Sequence, residues 1–242
     1  MRVALIGLGA IGTRLKEIIE QDPSLELSGI LDIDEKKRTV SSLDQLLSAK
    51  PDLVVEAASF DAVKEDAEKV LAQTNLLVMS VSALAEKELE EKIRKACKEN
   101  STKFFVPSGA IIGIDGISAV KEQLDSVELE TRKKPKGFGR EDKEEVVLFE
   151  GDARQACKEF PKNVNVSATL ALNGIGFEKT KVRIISDPKA KANTHTITAK
   201  GGFGRFMIKV EAVPSKNPKT SSLAALSAFA KIKEIQKGNS LY

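Results

Sequence analysis

Residues 3–12 read VALIGLGAIG, so an apolar strand runs straight into the turn Gly7-Leu8-Gly9-Ala10-Ile11-Gly12 at the very start of the chain. Each glycine of a GxGxxG turn has a mechanical reason. Gly7 permits the tight turn, Gly9 lets the backbone approach a pyrophosphate, and Gly12 lets the following helix pack close to its strand. The phosphate then meets a helix N-terminus, where amides and dipole favour negative charge. Gly7, Gly9, Ala10, Ile11 and Gly12 are therefore read as cofactor-binding residues. A glycine turn alone is weakly specific, and its context supplies the rest. A second apolar run, 25–31, is followed by Asp32, twenty positions after Gly12. There a dinucleotide fold places an acid that accepts hydrogen bonds from ribose hydroxyls. The plain alternatives are that Asp32 merely ends a strand, or that Asp34 takes the role. Lys36, Lys37 and Arg38 suit either a 2′-phosphate or a solvated basic turn. The expectation is that NAD binds and NADP is tolerated.

The chain has 242 residues, long for one domain and short for two large ones, so two modest domains are expected. A hydrophobic content of 41% with 30% charged residues describes a soluble globular protein. No apolar stretch approaches the ~20 residues that span a bilayer. The first strand leaves no room for a leader peptide, so a cytoplasmic protein without membrane contact is expected. Cys97 and Cys157 lack metal-site spacing and read as packing or surface thiols, with no metal expected. A net charge of +3, no Trp and one Tyr do not argue for nucleic acid.

The first hundred residues alternate strands (2–6, 25–31, 53–58, 76–81, 103–106) with helices (11–20, 42–49, 61–72, 85–99). This alternation predicts βαβ units and a parallel sheet, and with the glycine turn it predicts an α/β, Rossmann dinucleotide-binding domain. The pattern changes at Pro107-Ser108-Gly109-Ala110. Strands are expected at 126–133, 180–186, 193–199 and 203–212, the last two joined through the hairpin signal Gly201-Gly202. Helices are expected at 115–124, 151–160 and 164–173. This is a second, α+β domain of mostly antiparallel sheet. The division reads 1–108 for the dinucleotide domain, joined by a C-terminal helix within 220–242 and capped by Thr220 or Ser221, and 109–219 for catalysis and oligomerisation. The charged segment 133–145 reads as a mobile loop or as a lid over an anionic substrate.

The chain holds one histidine, His195, in Asn193-Thr194-His195-Thr196. On a strand, Asn193 and His195 share a face. A single histidine taken alone reads as structural, but a polar stretch of this kind reads as lying outside the core, and histidine is the usual acid/base near neutral pH. There is no GxSxG nucleophile elbow. Cofactor-borne hydride transfer, with one protein group moving a proton, is the chemistry left.

Over nearly its whole length the chain resembles the L-aspartate dehydrogenases. The resemblance is carried by Ser108-Gly109-Ala110-Ile111 through Asp115, Leu148-Phe149-Glu150-Gly151 through Arg154, 160–166 (FPKNVNV), Asp187-Pro188 ahead of Asn193 and His195, and 217–221 (NPKTS). It implies a second domain like that of dihydrodipicolinate reductase. It also implies oxidation of L-aspartate by NAD or NADP to iminoaspartate, which yields oxaloacetate and ammonia or feeds pyridine nucleotide biosynthesis, in a homodimer or higher homo-oligomer. The family's catalytic histidine matches His195, and its cofactor-contacting alanine and asparagine match Ala110 and Asn165. Asn163 lies two residues away, and an asparagine at 165 also suits a helix cap. The loop Ala110-Ile111-Ile112-Gly113 carries Ile112 where the family has glycine. The substrate carboxylates call for cations, and Arg132, Lys133, Lys134, Lys136 and Lys219 are candidates. The alternatives are a two-domain reductase of the homoserine dehydrogenase type and an NAD-binding sensor without turnover.

Overall fold

The structure, a computed structural model, describes residues 1–161, 164–212 and 222–238. The chain forms two compact units: one holds Met1–Pro107 and takes up the chain again from Ala224, and the other runs from Ser108 to Leu223.

In the first unit β1 (Arg2–Ile6), α1 (Ala10–Gln21), β2 (Glu26–Leu31), α2 (Leu43–Ser48), β3 (Leu53–Glu56), α3 (Phe60–Leu71), β4 (Asn75–Val78), α4 (Lys87–Asn100) and β5 (Phe104–Phe105) follow in order. The strands form a five-stranded parallel sheet, β2-β1-β3-β4-β5. Val3, Ala4 and Leu5 of β1 and Leu53, Val54 and Val55 of β3 are wholly buried, as befits parallel strands covered on both faces. The chain passes to β2 on one side of β1 and to β3 on the other. The strand order therefore reverses at the carboxyl end of β1, where Gly7 begins and where open α/β sheets bind ligands. Leu15 and Ile19, one helical turn apart on α1, enter the core beneath it. The C-terminal helix (Ser222–Gln236) sends Ala224, Ala225, Ala228 and Ile232 into the same cluster. The Lys233 ammonium donates to Asp22 at 2.8 Å and to Ser24 Oγ at 2.7 Å. That contact, with the Ser24 hydrogen bonds, pulls the Asp22 carboxyl down to about 2. The cap candidates Thr220 and Ser221 lie outside the described residues.

The second unit contains α5 (Ile114–Ala119), β6 (Leu124–Lys133), β7 (Val146–Asp152), α6 (Ala153–Glu159), α7 (Asn165–Asn173), β8 (Thr180–Ser186), β9 (Asn193–Gly201) and β10 (Gly204–Ala212). Its sheet runs β10-β9-β6-β8-β7. The pairs β10/β9, β9/β6 and β7/β8 are antiparallel, and β6/β8 is parallel. Strand β7 is absent from the sequence-based expectation. Its last residue, Asp152, also caps α6 through a reciprocal box with Gln155, so the helix signal there masks the strand end. The hairpin turns at Gly202-Phe203, with Gly204 opposite Gly201.

Segment 133–145 is tied to the sheet rather than loose. It contains a 3-10 turn at Pro135–Phe138. Arg140 grips Asp142 through two bonds of 2.7 and 2.8 Å, Ser186 Oγ donates to Asp142 at 2.7 Å, and Arg132 pairs with Glu145. No helix among the described residues is long and apolar enough to cross a membrane.

Ile232 is fully buried at the contact between the C-terminal helix and the first sheet. Replacing it with Ala should destabilise the protein by about 2–4 kcal/mol, measured by urea unfolding.

Candidate active site

The glycine turn is held by backbone geometry that larger residues would break. Gly7 has φ +93°, and a Cβ there would lie 2.6 Å from Ala58. A Cβ on Gly12 would lie 2.0 Å from the Gly7 carbonyl oxygen. At Gly9 a Cβ would meet only the Ala57 carbonyl oxygen, at 4.0 Å, so the open side of the turn is left for a ligand. Helices α2 and α3 begin with Ser42 and Ser59, whose hydroxyls accept from Gln45 N–H and Ala62 N–H. Helix α1 begins with Gly9 and has no side-chain cap. Its first-turn amides, at Ala10, Ile11 and Gly12, therefore suit an external anion, and the residues present fit a dinucleotide pyrophosphate.

Asp32 folds back to this turn. Its carboxylate accepts from Leu8 N–H at 2.5 Å and from Asp34 N–H at 2.8 Å. Burial alone would raise its pKa, but these two amides and the charge of Lys37 outweigh burial and hold the carboxyl below its usual range. Asp34 is exposed and pairs with Lys37 at 3.7 Å, while Arg38 pairs with Glu35 at 2.5 Å.

Glu56, which the sequence reading passes over as part of a strand, holds the neighbouring loops. It is buried, and its carboxylate accepts from Ser80 N–H (3.0 Å), Ser80 O–H (2.8 Å) and Ala58 N–H (2.8 Å). This ties the loop after β3 to the end of β4, and Ala58 is the residue that walls Gly7. Burial pushes its pKa up despite these bonds. The signal was an acid closing an otherwise apolar run.

In the second unit the inner face of the sheet changes character along its length. Val127 and Leu129 on β6 and Ile197 and Ala199 on β9 are buried beneath Ile111, Ile117, Val166 and Leu170. One step further along each strand, Thr131 stands opposite His195. Thr131 Oγ1 lies 3.0 Å from His195 Nδ1. Lys133 and Asn193 come next on that face, beyond the last ladder pair of Arg132 with Thr194. All four are buried, with His195 only 3% exposed. The Asn-Thr-His-Thr stretch is thus not outside the core: alternation turns Asn193 and His195 inward and leaves Thr194 and Thr196 partly exposed. Burial, with a contribution from the charge of Lys133, pushes His195 down to about 3. It is a neutral imidazole across the physiological range.

Ala110 follows β5 in a turn where Gly109 has φ +66°, and it packs against the cluster around Ile111. Ile111 is buried and Ile112 points outward, 51% exposed, so the loop accommodates its extra bulk. Asn165 is the first residue of α7 and half-buried; the cap position belongs to Val164, so Asn165 is not the cap. Asn163 and Lys219 lie outside the described residues. Among the cations, Arg132 is held by Glu145, Asp187 and Glu130, Lys134 and Lys136 are exposed, and Lys133 is buried. Burial raises the Cys157 thiol to about 12 and also raises that of Cys97, which leaves both poor nucleophiles.

Comparison with known proteins agrees with this geometry. The family described as "Aspartate dehydrogenase, C-terminal" matches residues 115–235, and "Homoserine dehydrogenase, NAD binding domain" matches residues 7–107. The chain is 41% identical to the L-aspartate dehydrogenase of Methanosarcina mazei over 97% of both chains. It is 39% identical to that of Archaeoglobus fulgidus over 98% of this chain and 99% of the other. The crystal structure of aspartate dehydrogenase from Thermotoga maritima superposes with a TM-score of 0.77 at 30% identity, covering 100% of this chain and 98% of that one. With a pyridine-nucleotide fold in one unit, a buried neutral histidine in the other and relatives that match end to end, the chain belongs to the L-aspartate dehydrogenase family of oxidoreductases.

Proposed function

We propose that the chain oxidises L-aspartate with NAD, and that His195 is the group that moves the proton. The observation that carries this reading is the buried imidazole of His195, in contact with Thr131 at the polar end of an otherwise apolar sheet face. L-Aspartate, water and the oxidised cofactor become oxaloacetate, ammonium, the reduced cofactor and one released proton. When bound, the nicotinamide supplies the acceptor for the hydride that leaves Cα. Gly7, Gly9, Ala10, Ile11 and Gly12 hold the pyrophosphate and Asp32 the ribose hydroxyls. Ala110 and Asn165 complete the cofactor contacts by their likeness to the family's residues. The substrate amine must shed its proton before Cα gives up a hydride, and water must lose one as it adds to the imine. His195 accepts a proton in either step through Nε2. That role requires Nδ1–H to donate, and Thr131 Oγ1 can accept it.

NAD is favoured over NADP in this reading, with NADP tolerated. An ionised Asp32 would oppose a 2′-phosphate, and Lys37 and Arg38 are already engaged by Asp34 and Glu35. The proposal extends to release of iminoaspartate for pyridine nucleotide biosynthesis and to a cytoplasmic homodimer or larger assembly. The outer edges of β10 and β7, unpaired among the described residues, suit self-association.

His195→Asn should lower kcat for L-aspartate by ~10²- to 10⁴-fold with unchanged NAD affinity, followed by the absorbance of reduced nicotinamide. Full turnover in the variant would remove His195 from the mechanism. Wild-type protein that binds NAD tightly but turns over no amino acid would instead be a sensor. The same variant tests burial. A histidine titrates near 6.5 in the unfolded chain and near 3 in the folded one, so the unfolded state takes up the proton first. Wild-type stability should fall as pH drops from about 6.5 towards 3, and His195→Asn should show a shallower loss in thermal melts over that window. Asp32→Asn keeps an acceptor for Leu8 N–H and removes the charge. It should shift the ratio of kcat/KM for NAD over NADP by about 10-fold or more towards NADP.

A further inference from the structure

We propose that Lys133 is the counter-charge for a carboxylate of the substrate, and that Lys133 and Asn193 form an anion subsite beside His195. The inference deepens the aspartate-oxidising reading and rests on it.

Strand alternation separates the basic run 132–136. Arg132 turns to the outer face, where three carboxylates hold it, and Lys134 is exposed. Lys133 turns inward on the same face as Thr131 and is 5% exposed. The 3-10 turn Pro135–Phe138 folds over it, with the Phe138 ring centroid 5.7 Å from Nζ and buried Gly137 packed against its stem.

A buried ammonium normally has an anion. Lys133 makes no hydrogen bond or ion pair through Nζ with any described residue. Its neighbours on the sheet are all uncharged: Ser186 opposite on β8, and Asn193 and His195 on β9. Two acids border this corner and both are taken up: Asp142 by both arms of Arg140 and by Ser186, and Asp187, whose amide donates to the Lys133 carbonyl, by Arg132. A ring contact of this length compensates a cation only in part. Burial accordingly lowers Lys133 to about 8, which still leaves it predominantly charged at neutral pH. The inner face therefore carries one unbalanced positive charge next to the proposed base. A substrate carboxylate supplies the missing charge and is held beside the imidazole.

A lysine kept for the fold would be paired, and losing it would weaken the protein. A lysine kept for substrate leaves the free protein with a buried charge, and its removal relieves that penalty. The test is titration of succinate, an unreactive dicarboxylate, into the NAD-loaded protein by calorimetry, with wild type, Lys133→Met and Lys133→Gln. Both variants should bind succinate about 10- to 100-fold more weakly, the loss expected for one charge-assisted contact. KM for L-aspartate should rise more than kcat falls, NAD affinity should hold, and the thermal midpoint of Lys133→Met should be no lower than wild type. Unchanged succinate affinity and KM in the folded variants would overturn the proposal. So would failure of both variants to fold, or a wild-type protein that binds no dicarboxylate. Succinate binding that depends on Lys133, in a protein that does not oxidise L-aspartate, would uphold the subsite and defeat the reaction assignment instead.

Discussion

The contact between Thr131 and His195, 3.0 Å long and buried, is where the inner face of the second unit's sheet turns from apolar to polar. Along β6 and β9 the same inward register carries Val127, Leu129, Ile197 and Ala199 under a helical cover, and then Thr131, His195, Lys133 and Asn193. No change of backbone separates the two stretches. What changes is the free energy of burial: apolar pairs gain from it, and polar groups withstand it only when neutral or partnered. His195 meets that condition by staying unprotonated and sharing a hydrogen bond with Thr131. The Lys133 ammonium has the Phe138 ring beside it but no hydrogen bond or ion pair with any described residue.

The nucleotide unit obeys a different constraint, the close approach of backbone segments. Gly12 must lack a side chain because the Gly7 carbonyl occupies the space, and Gly7 must lack one because Ala58 does. Ala58 in turn is held by Glu56, a buried acid that fastens two loops through three hydrogen bonds. The uncapped start of α1 and the carboxylate of Asp32 then lie at one end of β1, where the strand order reverses.

The nucleotide unit was the more legible in sequence. Parallel strands buried on both faces leave uninterrupted apolar runs, and the GxGxxG turn with Asp32 has fixed offsets. The second unit was legible in outline, since most of its strands alternate. Strand β7 was obscured because it ends in Gly151-Asp152, where the cap of α6 begins. The inward turn of Asn193 and His195 was obscured by composition: four successive polar residues suggest surface, and only alternation reveals that two of them face inside. The anchoring of 133–145 rests on Arg140, Asp142 and Ser186, the last more than forty residues away in sequence, and a charged segment does not advertise partners at that distance. For the same reason Lys133 was indistinguishable from the lysines around it until its face of the strand was known.

The desolvated, neutral state of the His195 imidazole can be read directly, because the chain contains one histidine. Protein labelled with ¹⁵N at that residue gives a single imidazole signature, which can be followed by NMR from pH 8 down to the onset of acid unfolding. The ring should stay neutral through pH 6.5 and well below, with Nδ1 carrying the proton towards Thr131. A ring that titrates between pH 6 and 7 would show His195 open to water, and would contradict its burial as a neutral base.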